Sequence, residues 1–564
     1  MFDVEKITGK KFYYNELYYD FIFNFNKISH GYFYDYSTAD TYKKRVEDIN
    51  STYDPTIRKR VGAVLKKNNV RYGCGASTLE NLEALTDGSA MVVIGGQQPG
   101  FLTGPIFIIY KIISVIRLSI FLSGLLKFKV VPVFWNASDD SNFAQVSEAS
   151  FINKKIERVL VSGPETGFNG AGKRFSDIPI NKDIIAENIR KLLEILPLTD
   201  FRQDIINFFA ECVRSIKENF KGSKPGFISL PDLFSVIVQR IFSEYGLIIL
   251  DPSDENIRKL AVELAIYDIE KSAFIQKAIL HSGDILKKAG YHSQLSPEKD
   301  VLDFFFVKNG VRKKIRRIND GVFEFSDQKI RKDELVRIVE KNPSKISLNV
   351  ALRPLFQDMI LPVICTVCGP GEVSYFAQLK EVYDLRKEKS AVIYPRFSAT
   401  VIENKVSKSL KRAGIVYGDL QSVKTEITGR YLKKFLNFDI EKLLKDFEND
   451  IFLKINGLKN LIEESGLESG TAFNRIRDNI GREISVLNKK LISELKEKNS
   501  RFVEDIDRIY LNIFPDSQLQ ERTVNIFNYI NKYGFCFIKH LFNLSEDMSN
   551  FHRFIFTGKT TVAE

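Results

Sequence analysis

The stretch Val93–Lys111, VIGGQQPGFLTGPIFIIYK, sets a turn rich in glycine and proline between a short β-branched run and an almost wholly apolar helical run. A strand, a constrained turn and a helix start in that order read as one unit of an α/β sheet. Two other places repeat the pattern. VVPVFW (Val130–Trp135) is followed by the acidic turn NASDDSNF, and PVICTVC (Pro362–Cys368) by GPGE and the helical VSYFAQLKEVYDLR. Two further strand candidates, LIILD (Leu247–Asp251) and SAVIYP (Ser390–Pro395), stand alone. Strands alternating with helices predict the α/β class, with a doubly wound parallel sheet.

Long insertions separate those strands. Residues 176–225 are mainly helical in period, and residues 256–346 mix helices with a hairpin expected at FFFVKNGVRKKIRRI (Phe304–Ile318). Both are long for crossovers and read as subdomains grafted on the sheet, whose own segments are 1–175, 226–255 and 347–438. From residue 439 the character changes. Leu444, Phe447, Ile451, Ile455, Leu458 and Ile462 recur at three- and four-residue steps, and after SGLESG (Ser465–Gly470) the rhythm returns from Phe473 to Leu495 and again from Phe502 to Ile513. This predicts an antiparallel coiled-coil hairpin over 439–514, with a helical segment, 515–564, behind it. Intramolecular packing and dimerisation account for such a hairpin equally well.

Composition narrows the function classes. A chain of 564 residues, 44% of them hydrophobic, can bury several cores. Its net charge of +11 comes from 82 basic and 71 acidic residues spread along the chain, which favours anionic partners without arguing for nucleic acid. The densest cluster, RKKIRR (Arg312–Arg317), reads as a solvated face. Five cysteines make no disulfide framework and suit a reducing cytoplasm. CTVC (Cys365–Cys368) lies in a strand candidate with no second pair to answer it, so no metal site is expected. The apolar run Ile106–Phe128 is interrupted by Lys111, Arg117 and Lys127 and reads as a buried helix rather than a membrane span. Charges break up the first twenty residues, so no signal peptide is expected.

A strand, a glycine turn and a helix start can hold an anion, because unpaired backbone N–H groups and the helix dipole point at the turn. Gly100 and Gly104 allow close approach, although Phe101 stands where a phosphate-loop lysine would be and neither nucleotide signature is matched, so a purely structural tight turn is the alternative. Gln97, Gln98 and Thr103 supply donors and acceptors for the hydroxyls and carboxylates of a polar substrate. In an open α/β sheet the ligand lies beyond the carboxyl ends of the strands, where Asn136, Asp139, Asp140, Asp251 and the turn Gly369–Glu372 all fall. Asp139, Asp140 and Glu372 are the candidate catalytic carboxylates, and Gly369 and Gly371 would admit a ligand close to the backbone. For each aspartate a helix N-cap is the alternative. In SLNVALRPLFQD (Ser347–Asp358), Arg353 can grip a carboxylate bidentately, flanked by Asn349 and Gln357, with a structural ion pair as the alternative.

GGQQPGFLTGP followed by IYK, VPVFW followed by an acidic box, AGYHSQ (Ala289–Gln294), LNVALRPLFQDMILP, GPGEVSYFAQL, YPRFSATVIE and LQERTVNIFNYINKYG occur in this order over most of the chain. Together they resemble the bacillithiol biosynthesis cysteine-adding family. The resemblance implies a Rossmann-like core with two connecting inserts and a C-terminal coiled coil, often dimeric. It also implies a ligase that joins the carboxyl of cysteine to the amine of glucosaminyl-malate, both small-molecule substrates; with the composition, the expectation is a cytoplasmic homodimer with neither nucleic acid nor membrane as partner. One departure stands out. The family reads Glu-Asp-His-Asp-Phe in the acidic box, whereas this chain has Asp139, Asp140, Ser141, Asn142 and Phe143. If that imidazole moves protons in relatives, another group must do so here, with Asp139, Asp140 and His292 as the candidates; a dispensable histidine and a drifted activity are the alternatives.

Amide formation from a carboxylate requires the acyl oxygen to become a leaving group, so ATP with Mg²⁺ is expected from the chemistry rather than from a motif. Two rival readings come from other classes. KVSKS (Lys405–Ser409) is similar to a signature of class I aminoacyl-tRNA synthetases, but no His-x-Gly-His accompanies it among five histidines. A non-catalytic scaffold recruiting partners through its coiled coil is the other.

Overall fold

The computed structural model describes residues 3–161, 173–220, 227–326, 328–436, 438–467 and 470–557. The chain forms two compact units, one made of Glu5–Thr400 with Gln518–Phe554 and one built mainly on Val401–Ser517.

The first unit carries a five-stranded sheet of β1 (Ala90–Gln97), β2 (Lys129–Asn136), β3 (Ile248–Leu250), β4 (Val363–Cys368) and β5 (Val392–Pro395). Every pairing is parallel and the order is β5–β4–β1–β2–β3. These strands stand out in the sequence as unbroken apolar runs because a sheet covered on both faces buries every side chain instead of alternate ones. β4 and β5 are buried throughout. The chain winds from β1 through β2 to β3 on one side and later returns to lay β4 on the other side of β1. The order therefore reverses between β1 and β4, which is where open α/β sheets hold their ligands.

β1 runs through the glycine turn into α1 (Phe107–Leu126). By length and composition α1 is the one helix among the described residues that could cross a membrane, yet 67% of its apolar window is buried inside the protein. It is the central core helix of the unit. The turn before it is a left-handed run, with φ of 49°, 79° and 67° at Leu102, Thr103 and Gly104. A Cβ on Gly100 would sit 2.5 Å from the Gly104 Cα, so the two glycines let the chain cross itself. The turn meets one of its own carbonyls, the Gly104 N–H donating to Phe101 at 2.8 Å, and leaves those of Leu102 and Gly104 to be met from elsewhere in the chain. The side-chain amide of Asn525 donates to the Leu102 and Gly104 carbonyls at 2.7 and 2.8 Å, and the Ile106 N–H donates to the Val524 carbonyl at 2.8 Å. The constrained turn thus holds the C-terminal part of the chain. The segment 515–564, expected as a separate helical piece, contributes Gln518–Phe554 to the sheet unit. Its last residues, 558–564, lie outside the described residues.

In the first insertion the helices Lys182–Ile195 and Arg202–Asn219 follow the expected period, while residues 221–226 lie outside the described residues. In the second, Phe304–Lys308 and Val311–Lys313 pair as a hairpin. Its turn residues Asn309 and Gly310 have φ of 53° and 77°, both positive as a tight primed turn demands. Beyond the insertion, α2 (Arg353–Ile360) leads into β4, which is followed by α3 (Pro370–Leu385).

The second unit holds α4 (Ile440–Glu464), α5 (Gly470–Lys498) and α6 (Ser500–Ile513). Gly470 lies beside Glu463 and Gly481 beside Glu448, an antiparallel register for α4 and α5. The expected junction Ser465–Gly470 includes residues 468–469, which lie outside the described residues. Two helices can bury only the stripe they share, so Leu453, Leu461 and Val486 stay more than half exposed. In the same unit KVSKS forms part of the helix Asn404–Ala413, and its buried Ser409 hydroxyl donates to Asp505 at 2.6 Å. That is a packing role.

Candidate active site

At the carboxyl ends of β1, β2 and β4 opens a cavity of about 320 Å³. Five glutamines line it: Gln97, Gln98, Gln145, Gln294 and Gln357. So many neutral amides, each both donor and acceptor, suit a ligand rich in hydroxyls. Beneath them Lys111 of α1 is 1% exposed, and its ammonium donates to the Gly96 carbonyl (2.7 Å), Gln97 Oε1 (3.0 Å) and Glu372 Oε2. All three of its N–H bonds are thereby used. Burial pushes the pKa of the ammonium down, and Glu372 opposes the shift. The same Glu372 oxygen accepts the Gly369 N–H at 2.7 Å and closes the first turn of α3. Glu372 Oε1 receives no hydrogen bond from the described residues.

Just past β5, Arg396 is 3% exposed and bonds in a fork to the fully buried Glu521. Tyr14, Ser398 and the Ala399 N–H also donate to Glu521. Burial alone would raise the Glu521 carboxyl, but the Arg396 guanidinium holds it at about 2.

A second cavity, again about 320 Å³, adjoins the first, and Trp135, Ala137, Asp140 and Arg353 line both. Its other walls include Phe305, Leu348 and Phe356, with Arg258 and Arg312 among them. Arg312 stacks on the Phe305 ring at 4.0 Å and reaches Asp140 at 3.3 Å, while Gln98 donates to the other Asp140 oxygen. Arg174 approaches Asp139 at 3.8 Å. Burial raises the Asp139 carboxyl above the usual carboxylate range, although Arg258, Arg174 and Arg312 all oppose it.

Of the residues singled out in the sequence, Gln97, Gln98, Asp140, Arg353, Gln357, Gly369, Gly371 and Glu372 line the first cavity. Asp139 and Asn349 line the second, together with Asp140 and Arg353. Gly100, Thr103 and Gly104 lie outside both linings, because the turn folds back onto the Asn525 segment; Thr103 is fully buried. His292 is also outside. It is exposed, with Nε2 3.0 Å from Gln294 Oε1, and its motif brings Gln294 to the cavity instead. Asn136 donates to the Pro231 carbonyl and Ser235, and Asp251 accepts from Ser138 and the Ser253 N–H, so both brace loops. Arg353 forms no ion pair among the described residues, contrary to the structural alternative. RKKIRR divides: Lys313, Lys314 and Arg316 are exposed, but Arg312 turns into the second cavity.

Sequence reasoning passed over Lys111, Arg396 and Arg522, which all line the first cavity. Each sits inside a quoted motif, IYK, YPRFSATVIE and LQERT, and that was the available signal. No histidine lines either cavity among the described residues. No cluster of three His, Cys, Asp or Glu side chains that could hold a metal ion forms among them.

Comparison with known proteins bears on the same features. Residues 2–397 match the model "Bacillithiol biosynthesis BshC, N-terminal Rossmann-like domain", and residues 399–557 match "Bacillithiol biosynthesis BshC, C-terminal coiled-coil domain". A curated relative from Geobacillus sp. (strain WCH70), named "Putative cysteine ligase BshC", is 27% identical over 95% of this chain and 97% of its own length. A protein of the same name from Salinibacter ruber (strain DSM 13855 / M31) is 28% identical over 92% of each. A solved structure titled "putative arginyl t-RNA synthetase from Campylobacter jejuni" covers 85% of this chain at 10% identity, with a TM-score of 0.22, too low to carry an argument. With a Rossmann-like match ahead of a coiled-coil match across nearly the whole length, the chain belongs to the bacillithiol biosynthesis BshC family.

Proposed function

We propose that this protein is a cytoplasmic cysteine ligase that forms the amide between the carboxyl of cysteine and the amine of glucosaminyl-malate, completing bacillithiol. The observation that carries this reading is the pair of adjoining cavities at the switch between β1 and β4, which share Arg353 and Asp140 as a common wall. A ligase must bring two organic substrates to one point, and that wall is the meeting place.

The five glutamines hold the sugar hydroxyls, and Arg353 holds a carboxylate of the malyl group. Glu372 Oε1 receives the ammonium of cysteine, its other oxygen being committed to Lys111 and the Gly369 N–H. The sugar amine must lose a proton before it attacks. Asp140 is tied to Arg312 and Gln98, whereas Asp139 has its carboxyl raised by burial, which brings its basicity nearer to neutral pH. Asp139 is therefore the base, and the site works without the histidine that Ser141 replaces. ATP with Mg²⁺ supplies an acyl leaving group when bound. The first turn of α3, opening on the cavity at Gly369–Glu372, would hold its phosphates. The protein acts as a homodimer on small molecules, with no nucleic acid or membrane partner.

The test is mass-spectrometric. Purified protein is incubated with glucosaminyl-malate, cysteine, ATP and Mg²⁺, beside a control lacking ATP. Bacillithiol formed only with ATP is the expected result. Its absence under both conditions, while a relative carrying the acidic-box histidine makes it, would refute the ligase reading for this chain.

A further inference from the structure

We propose that Arg522 is a specificity residue: it receives one carboxylate of a dicarboxylate substrate while Arg353 receives the other. The assignment rests on the reading of glucosaminyl-malate as substrate. It starts from the charges on the first cavity, where Lys111, Asp140, Arg353, Glu372, Arg396 and Arg522 are the ionic side chains. Within the protein Lys111 is matched by Glu372, Arg396 by Glu521 and Asp140 by Arg312. Arg353 and Arg522 have no carboxylate in ion-pair reach among the described residues.

Arg522 is held in place by other means. Its guanidinium carbon lies 5.1 Å from the centre of the Tyr14 ring and 5.8 Å from that of Phe107. Aromatic faces position a guanidinium without neutralising it. The backbone beneath is fixed as well, because the neighbouring Glu521 is buried and takes donors from Tyr14, Arg396, Ser398 and Ala399. Two anchored but unmatched guanidinium groups on one cavity select a ligand with two anionic groups. A malyl group offers two carboxylates, and each can take a guanidinium in a fork. The phosphates of ATP share this chemistry, so the test has to separate the two sources.

The experiment uses the full-length protein with glucosaminyl-malate and two analogues, each with one carboxylate converted to the neutral amide. Wild type, Arg522→Gln and Arg353→Gln are compared in kcat/KM and, by titration calorimetry, in Kd. Losing one charge-assisted contact should cost about 10- to 100-fold. Arg522→Gln should lose that factor on glucosaminyl-malate and on one analogue but little on the other, and Arg353→Gln should show the reverse pattern. Arg522→Lys should recover part of the loss. Equal losses on all three ligands, or an effect confined to the KM for ATP, would overturn the assignment. The ligase reading fails separately. A wild type that binds the dicarboxylate through Arg522 but makes no product refutes the ligase reading and keeps the residue's role.

Discussion

Replacing Lys111 by Met tests the core of the site, because Met keeps the length and apolar stem of the side chain and removes only its ammonium. That ammonium is buried and bonded to Gly96, Gln97 and Glu372. Without it, Glu372 keeps a single donor, the Gly369 N–H, and the Gly96 carbonyl loses its side-chain partner. Breaking one side of a buried ion pair costs about 3–5 kcal/mol. The Glu372 side chain is 24% exposed, so water can take over part of the lost interaction and the lower end applies, about 3 kcal/mol. Adding Glu372→Gln removes the stranded charge and still offers an oxygen to the Gly369 N–H, so the double variant should recover roughly 2 kcal/mol of that loss. Trp135 is the only tryptophan and lies between the two cavities, which makes its fluorescence in a urea titration a direct report on this unit. A Lys111→Met protein within about 1 kcal/mol of wild type, or a double variant as unstable as the sum of the two singles, would refute the reasoning.

Three further outcomes are expected. Buried His552, which pairs with the Ser398 and Thr400 hydroxyls, has its pKa lowered from 6.5 to about 4, first by burial and then by Arg396 and Arg553, with Glu521 opposing. A depressed imidazole contributes stability that is whole above pH 6.5 and is lost as pH falls through about 4, which is worth roughly 3 kcal/mol. The stability gap between wild type and His552→Gln should shrink by that amount from pH 7.5 to 4, and parallel curves would sink the idea. Gly100→Ala drives a Cβ into the Gly104 backbone and should cost about 1–3 kcal/mol in thermal or urea unfolding, whereas Gly371→Ala, whose Cβ meets nothing within 4 Å, should unfold like wild type. Arg353→Ala should raise the KM for glucosaminyl-malate about 10-fold or more, and an unchanged KM would remove the residue from the site.

Much of the architecture was legible in the chain because the physics behind it is local. A strand buried on both faces must be an unbroken apolar run, which is why β1 to β5 could be read from Met91, Val130, Leu247, Pro362 and Ser390 onward. A two-helix hairpin needs its apolar stripe at three- and four-residue steps, and α4 and α5 show it. The hairpin at Asn309–Gly310 follows from two residues that enter such a turn cheaply. Glycine spacing in GGQQPGFLTGP likewise announced a constrained turn.

What that turn does was decided elsewhere in the chain. Asn525 reaches Leu102 from 423 residues away and Glu372 reaches Lys111 from 261, and no periodicity or neighbouring pattern encodes such pairings. Thr103 could be read as a ligand contact because a polar residue beside glycines looks the same whether it faces a substrate or the returning C-terminal segment. The same holds for charge. Arg312, Arg353, Arg396 and Arg522 are equivalent cations in the sequence, and only the folded chain gives Arg396 a buried glutamate, gives Arg312 an aspartate and leaves Arg353 and Arg522 open to the cavity. Local sequence determined the elements and their faces, since propensity and burial pattern act over a few residues. The tertiary structure alone decided which charges are satisfied, because that depends on which distant side chains share a low-dielectric interior.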